Sequence, residues 1–267
     1  MLGDITLGQF FPGDSPVHRV DPRMKLLLTA LYICLTFLVK DFIGYGLLLA
    51  LLLFCTLLSG LKLKFMLRSL KPILMIILFT FFLNMFFAKG DRVLFAWRFI
   101  VITEESLYFA AFMALRLVFL ILGTSLLTLT TSPIALTDGL ERVLKPLKLV
   151  RFPVHELSMM MTIALRFIPT LLEETDKIMK AQAARGADFD TGNLLQRAKA
   201  MVPLLVPLFI SAFRRADELA IAMEARCYRG GEGRTRMKIL RLQAVDYLAL
   251  LLFLALLAAE LLRQRLL

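Results

Sequence analysis

Three cysteines, two histidines and one tryptophan are a small stock of reactive side chains for 267 residues. Cys34, Cys55 and Cys227 have no paired spacing and no histidine cluster beside them, which excludes a disulfide framework and a zinc site. His18 and His155 stand alone and read as loop or cap residues rather than as catalytic bases. No G-x-x-x-x-G-K-[ST] run is present, so any ATP hydrolysis belongs to another chain, and nothing resembles a nucleophile paired with a base. The apolar runs are continuous and lack the period-two alternation of a membrane β-barrel. The first twenty residues lack an apolar core of the kind a cleavable secretory signal requires.

What the chain has in quantity is apolar surface. With 59% hydrophobic residues and a mean hydropathy of +0.75, it lies outside the range of soluble domains. The net charge of +11 is read first as topology, because Lys and Arg concentrate on the cytoplasmic side of membrane proteins. Asp21 and Pro22 suit the cap and first turn of a helix, and Arg19, Arg23 and Lys25 are expected among lipid headgroups. A first span covers about 24–39 and a second about 42–61, separated by Lys40 and Asp41. Lys62, Lys64, Arg68 and Lys71 then mark a cytoplasmic loop. A third span, about 72–88, exits into a segment, 89–105, whose charges balance, with Trp97 and Tyr108 suited to the opposite interface. A fourth runs over about 106–131 and a fifth over about 244–262.

This pattern predicts an all-α polytopic membrane protein of about five transmembrane helices in three parts. Residues 1–131 hold four spans, 132–243 form a cytoplasmic insertion of three amphipathic helices, and 244–267 contain the last span. The N-terminus is expected in the cytoplasm and the C-terminus outside. The insertion carries 18 of the 32 Lys and Arg against 12 Asp and Glu, in keeping with that orientation.

Within the insertion, Ser132-Pro133 opens a short helix to about Leu149. From His155 to Ala184 the chain is long enough for a continuous helix of roughly 45 Å, apolar almost all round at first and charged from Glu173 onward, with Pro169 near the change. Leu194 to Tyr228 repeats that design. Its apolar stretch, 202–213, is too short to span and contains Pro203 and Pro207. Ala212, Ala216 and Ala220 form a small-residue ridge across which the two long helices could cross.

Each long helix ends in the same grammar, Ala184-Arg185-Gly186 and Ala225-Arg226-Cys227. An arginine before a left-handed glycine is an ordinary helix stop, favoured by the helix dipole by about 0.3–1 kcal/mol. That magnitude does not require the feature to recur. Truncating one member of a buried charge pair across an interface costs about 2–5 kcal/mol, and the recurrence points to docking.

Several stretches taken in order resemble the transmembrane T component of energy-coupling-factor (ECF) transporters, the EcfT/CbiQ family. They are Ser15-Pro16-Val17-His18-Arg19-Val20-Asp21-Pro22-Arg23-Met24-Lys25, Ala164-Leu165-Arg166-Phe167-Ile168-Pro169, the Ala-x-Ala-Ala-Arg-Gly ending at Gly186, and Ala222-Met223-Glu224-Ala225-Arg226-Cys227-Tyr228. The resemblance implies a non-enzymatic coupling subunit of an ABC-type importer for vitamins or transition metals in a prokaryotic plasma membrane. Two cytoplasmic ATPases, identical or different, would use ATP and Mg²⁺, and a separate membrane S component would bind the substrate. This chain would bind no cofactor. Arg185 and Arg226, with Ala184, Gly186, Ala225 and Cys227 around them, would each dock into one ATPase. Cys227 departs from the glycine of the pattern and leaves the second helix ending less defined.

Met159, Met160, Pro203 and Pro207 are candidates for docking the S component, although filling gaps in an apolar helix is the plainer role for methionine. Arg116, in the fourth span, is a functional charge, an arginine buried in protein and hydrogen-bonded to carbonyls, or a shallower residue of a span that starts later. A stand-alone secondary transporter or channel is the alternative reading, weakened by the lack of an acid in mid-span. A nucleic-acid binder would need a dense basic stripe where this insertion interleaves acids with its bases.

Overall fold

The computed structural model describes residues 10–87, 92–97, 100–187, 189, 193–231 and 242–266. They fall into two compact units, one built from residues 10–140 with the C-terminal helix, the other from residues of 141–238. The all-α membrane class is borne out. Among the described residues four stretches are long and apolar enough to cross a bilayer: Phe42–Ser59, Leu63–Phe87, Glu104–Thr130 and Ala244–Arg265.

In the first unit, α1 (Pro16–Arg19) and α2 (Pro22–Leu38) lead in. At 17 residues α2 is about 26 Å long, near the lower end of spanning length. Next come α3 (Phe42–Ser59), α4 (Leu63–Leu70) and α5 (Leu74–Phe87). A hairpin of β1 (Val93–Trp97) and β2 (Ile100–Thr103) leads to α6 (Glu104–Thr130) and α7 (Pro133–Val143), and α10 (Ala244–Leu266) completes the unit.

Two connections differ from expectation. The segment with Lys62, Lys64, Arg68 and Lys71 is not a loop: Gly60, left-handed at φ 68°, ends α3 and lets the chain turn into α4. Met66 of α4 is buried with Leu61 and Leu129, while Leu63, Phe65 and Leu67 stay exposed beside the cations. The 89–105 segment contains the antiparallel β1–β2 pair, with Val93 opposite Thr103 and Trp97 opposite Ile100. Charge balance alone concealed a run of β-branched and aromatic residues that favours strands.

The core lies among α2, α3, α6 and α10. Tyr45 stacks on Phe119 at 5.2 Å and tilts against Phe112 at 4.7 Å. Thr36 and Thr56 are buried, and each hydroxyl donates to the carbonyl one turn back, so neither brings an unsatisfied group into the apolar interior. Arg116 takes the structural role. Its Nε donates to the Tyr45 hydroxyl at 3.3 Å and its Nη2 to the Val39 carbonyl at 3.4 Å, at the C-terminal end of α2, where a cation also complements the helix dipole.

The lead-in segment is stitched rather than floating among headgroups. His18 Nε2 donates to the Phe11 carbonyl at 3.0 Å, which leaves Nδ1 to accept from Ser15 Oγ at 2.7 Å. The Phe11 N–H donates to the Leu129 carbonyl at the end of α6. Asp21 caps α2 as expected, accepting from the Arg23 N–H at 2.9 Å. Lys25 departs from its expected headgroup position: only 7% exposed, it donates to the Thr130 carbonyl at 2.9 Å, Thr131 Oγ1 at 3.2 Å and the His18 carbonyl at 3.3 Å. Asp246 of α10, 1% exposed, accepts the Asp21 N–H at 2.7 Å and the Gln243 N–H at 2.6 Å. At the far end of α10, Glu260 accepts from Arg263, which also reaches Asp41 at 3.4 Å.

Tyr32 crosses from α2 to donate to the Phe119 carbonyl of α6 at 3.0 Å, and its ring occupies the notch left by Gly123. A Cβ at 123 would overlap the ring. Gly123→Val is therefore expected to destabilise the purified protein by about 1–3 kcal/mol, the usual range for overpacking. Thermal unfolding in detergent reads this as a lower Tm, and an unchanged midpoint would refute the notch.

Candidate functional site: two matched helix ends

The second unit is organised by α8 (Val154–Ala184) and α9 (Leu194–Ala225), of 31 and 32 residues. Both run unbroken through the prolines inside them, Pro169 in α8 and Pro203 and Pro207 in α9. A 3₁₀ segment, Lys145–Val150, precedes α8 where Pro146 interrupts the expected helix, and Arg151 turns the chain in the left-handed region. His155, in the first turn of α8, has Nδ1 3.4 Å from the carboxylate of Glu141 in the last turn of α7.

The two helices pack against one another and run in opposite directions, since Gln182 meets Pro203 while Glu174 meets Ser211 and Arg215. Pro207 has no N–H, so the Pro203 carbonyl lacks its normal partner one turn on. Gln182 Nε2 of α8 supplies the missing donor at 3.3 Å. Eight residues farther along both helices, the Ser211 hydroxyl donates to Glu174, and Arg215 Nη2 pairs with the same carboxylate at 3.1 Å. The prolines thus free an acceptor that a neighbouring helix claims.

The stripe of α9 withdrawn from solvent includes Leu204, Leu208, Ser211, Ala212, Arg215 and Leu219. The expected alanine ridge only partly coincides with it. Ala212 shares that face, whereas Ala216 and Ala220 are exposed. The opposite face is apolar and open, with Val202, Leu205, Val206, Phe209, Ile210 and Phe213 between 44% and 69% exposed.

The two helix ends have the same geometry. In α8 the Gly186 N–H donates to the Ala183 carbonyl and the Ala187 N–H to that of Gln182, both at 3.0 Å. In α9 the Cys227 N–H donates to Glu224 at 2.8 Å and the Tyr228 N–H to Met223 at 3.0 Å. These paired bonds define a Schellman motif, which satisfies carbonyls that a helix end would otherwise leave bare. Gly186 has φ 90° and Cys227 φ 56°, so the cysteine adopts the left-handed conformation that glycine adopts in the first helix. The second ending is as regular as the first. Arg185 and Arg226 occupy the same cap position, at φ −89° and −91°. Both are exposed, as are Ala184, Gly186, Ala225 and Cys227.

Of the other named positions, Met160 is exposed and Met159 half-buried on α8, Pro207 is half-buried, and Pro203 is exposed with its carbonyl bound to Gln182. Sequence reasoning did not find Gln182, Glu174 and Arg215 as the seam. The adjacent prolines were the available signal, because each frees a carbonyl that needs a donor. No group of three or more His, Cys, Asp or Glu that could hold a metal occurs among the described residues.

Fold and site together define a membrane-embedded subunit carrying two long paired helices with exposed, matched cationic ends. The family model described as "Cobalt transport protein", CbiQ, matches residues 13–238, and the chain belongs to that family. The energy-coupling factor transporter transmembrane protein EcfT of Clostridium kluyveri is 58% identical over 99% of this chain and 98% of its own length. Its counterparts in Thermosediminibacter oceani and Bacillus subtilis are 60% and 51% identical, covering 93% and 89% of this chain and 93% and 90% of their own. The chain is accordingly a transmembrane component of an energy-coupling-factor transporter.

A left-handed non-glycine residue costs about 1–2 kcal/mol, against about 0.5–1 kcal/mol of extra chain entropy for glycine. Cys227→Gly is expected to slow hydrogen exchange in the last turn of α9 up to fivefold, and Gly186→Ala to speed it in the last turn of α8. Effects of the same sign at the two positions would contradict their equivalence.

Proposed function

We propose that this chain is the non-catalytic coupling subunit of an ECF-type importer, conveying ATP-driven closure of two cytoplasmic ATPases to a substrate-binding S component for vitamin or transition-metal uptake. The observation that carries the reading is the duplicated Schellman ending with an exposed arginine at each cap. Arg185 docks on one ATPase and Arg226 on the other, each in a groove that offers carboxylates. ATP and Mg²⁺ are bound by the partners, and the chain itself needs no cofactor. The four cations around α4 support a cytoplasmic position for that side of the membrane, and with it an N-terminus inside and a C-terminus outside.

Rigid connection between the prongs is what coupling requires. The seam formed by Gln182, Glu174, Ser211 and Arg215 supplies it by making α8 and α9 move together. The open apolar face of α9 is the main surface for the S component and Met159 and Met160 of α8 a second contact, while Pro203 and Pro207 serve mainly the seam. An unbranched, polarizable methionine suits a surface that accommodates different partners.

Replacing both Arg185 and Arg226 with Ala tests the reading. The double variant is expected to remain monodisperse in detergent and to lose at least tenfold in co-purified ATPase, since each lost charge pair is worth about 2–5 kcal/mol. Wild-type levels of bound ATPase and of transport in that variant would sink the proposal.

A further inference from the structure

In the membrane unit side chains of α3 and α10 meet at one end, and residues of both line a cleft toward the other. At the closed end Gly44 leaves room for the Glu260 carboxylate, whose Oε1 would lie 2.8 Å from a Cβ at 44, and Asp41 pairs with Arg263. At the open end the two helices flank a cleft of about 240 Å³. Its floor includes buried Tyr32, Leu52 and Phe253, with Gly123 beneath the Tyr32 ring. Exposed Phe54 and Leu58 of α3 and Leu248 of α10 form its rim.

We propose that this cleft binds one acyl chain of an anionic phospholipid from the leaflet on the Lys25 side. Depth, chemistry and charge each bear on the occupant. Along α10 the lining runs from Val245 to Phe253, about 12 Å at 1.5 Å per residue, which nearly matches one leaflet of a hydrocarbon core of roughly 30 Å. An apolar cleft is a poor host for water, which needs two or more polar partners, and its flanking helices are two of the candidate spans, so hydrocarbon is the adjacent solvent. The one charged side chain in the lining is a cation, Lys25, and its three hydrogen-bond acceptors are neutral oxygens. Of the acids at that level, Asp21 pairs with Arg23, while Asp246 accepts two backbone N–H groups and its charge also faces Lys25, which leaves Arg19 as the cation not offset there. Exposed Arg19, between Val17 and Val20 of the lining, has no salt-bridge partner among the described residues and adds a second positive charge near the mouth. A negative headgroup at the mouth with its tail along Tyr32 and Phe253 satisfies all three conditions.

The test uses phosphatidylglycerol carrying a diazirine in one acyl chain, incorporated into nanodiscs with the full-length chain and, separately, with the chain assembled with its partner subunits. Photo-adducts mapped by mass spectrometry are expected to be at least fivefold more frequent on peptides covering 54–58 and 245–253 than on the equally apolar α5. Diazirine phosphatidylcholine is expected to give at least fivefold fewer adducts there. Ala249→Phe or Cys55→Phe, either of which fills the cleft, is expected to reduce the adducts at least fivefold, while Leu251→Phe on the exposed side of α10 leaves them unchanged. The same pattern is expected in the assembled complex. The proposal is overturned by adducts spread evenly over the lipid-facing helices, by equal labelling with the zwitterionic lipid, or by persistence in both filling variants. Protection of the cleft in the complex would show a protein helix there and would overturn it as well.

Discussion

The Lys25 ammonium is the constraint on which the membrane unit depends. Removing such a charge from water costs several kcal/mol, and the cost is tolerable only because three oxygens converge on it from α1, the end of α6 and the residue after it. Fixing those oxygens fixes the segments that carry them. Four residues before Lys25, at the cap of α2, the backbone of Asp21 is held by Asp246 of α10, so one short stretch of chain joins α2, α6 and α10. Apart from the Thr131 hydroxyl, each partner is a backbone group at or near a helix end, where hydrogen-bonding capacity is unused. The buried charges therefore complete helix ends instead of interrupting helix interiors.

This changes the meaning of the Asp21-Pro22-Arg23-Met24-Lys25 stretch. Its residues are compatible with a helix start and interfacial charges, and the cap proved correct. Its principal role is tertiary and depends on Asp246 and Thr130, more than 100 positions away. Pattern and propensity describe the local part of a motif; they do not supply the distant acceptors. The same limit applies to Arg116, for which hydrogen bonding to carbonyls is one of three readings open in the sequence, and whose partners are the Tyr45 hydroxyl and the Val39 carbonyl.

Elsewhere the legible part was the part governed by period and capping. The long helices α8 and α9, the proline-started α7 and the apolar spans lie close to where hydrophobic runs and cap residues put them. The β1–β2 pair was hidden because charge balance was allowed to outweigh β-branched content, and α4 because its cations suggested a loop. The alanine ridge failed for a geometric reason: with Leu204, Leu208, Ser211 and Arg215 facing α8, Ala216 and Ala220 lie outside that stripe. Small residues permit close approach but do not attract it, whereas a freed proline carbonyl and a carboxylate seeking two donors do.

The matched helix ends also bear on why arginine occupies the caps. A cation beside the negative end of a helix is stabilised where it stands by about 0.3–1 kcal/mol when exposed, too little to restrict its side chain strongly. The Schellman bonds have already claimed carbonyls of the last turn, so the guanidinium is not needed to satisfy them. Its donors remain available, and five of them in a planar fork match a carboxylate better than any lysine could. Cys227 tests this logic from within the chain. Its left-handed backbone carries a conformational cost that Gly186 avoids, yet the cap before it keeps the same φ to within a few degrees. What the two ends hold in common is the presentation of the arginine, and the residue that follows has some freedom as long as it turns the chain left-handed.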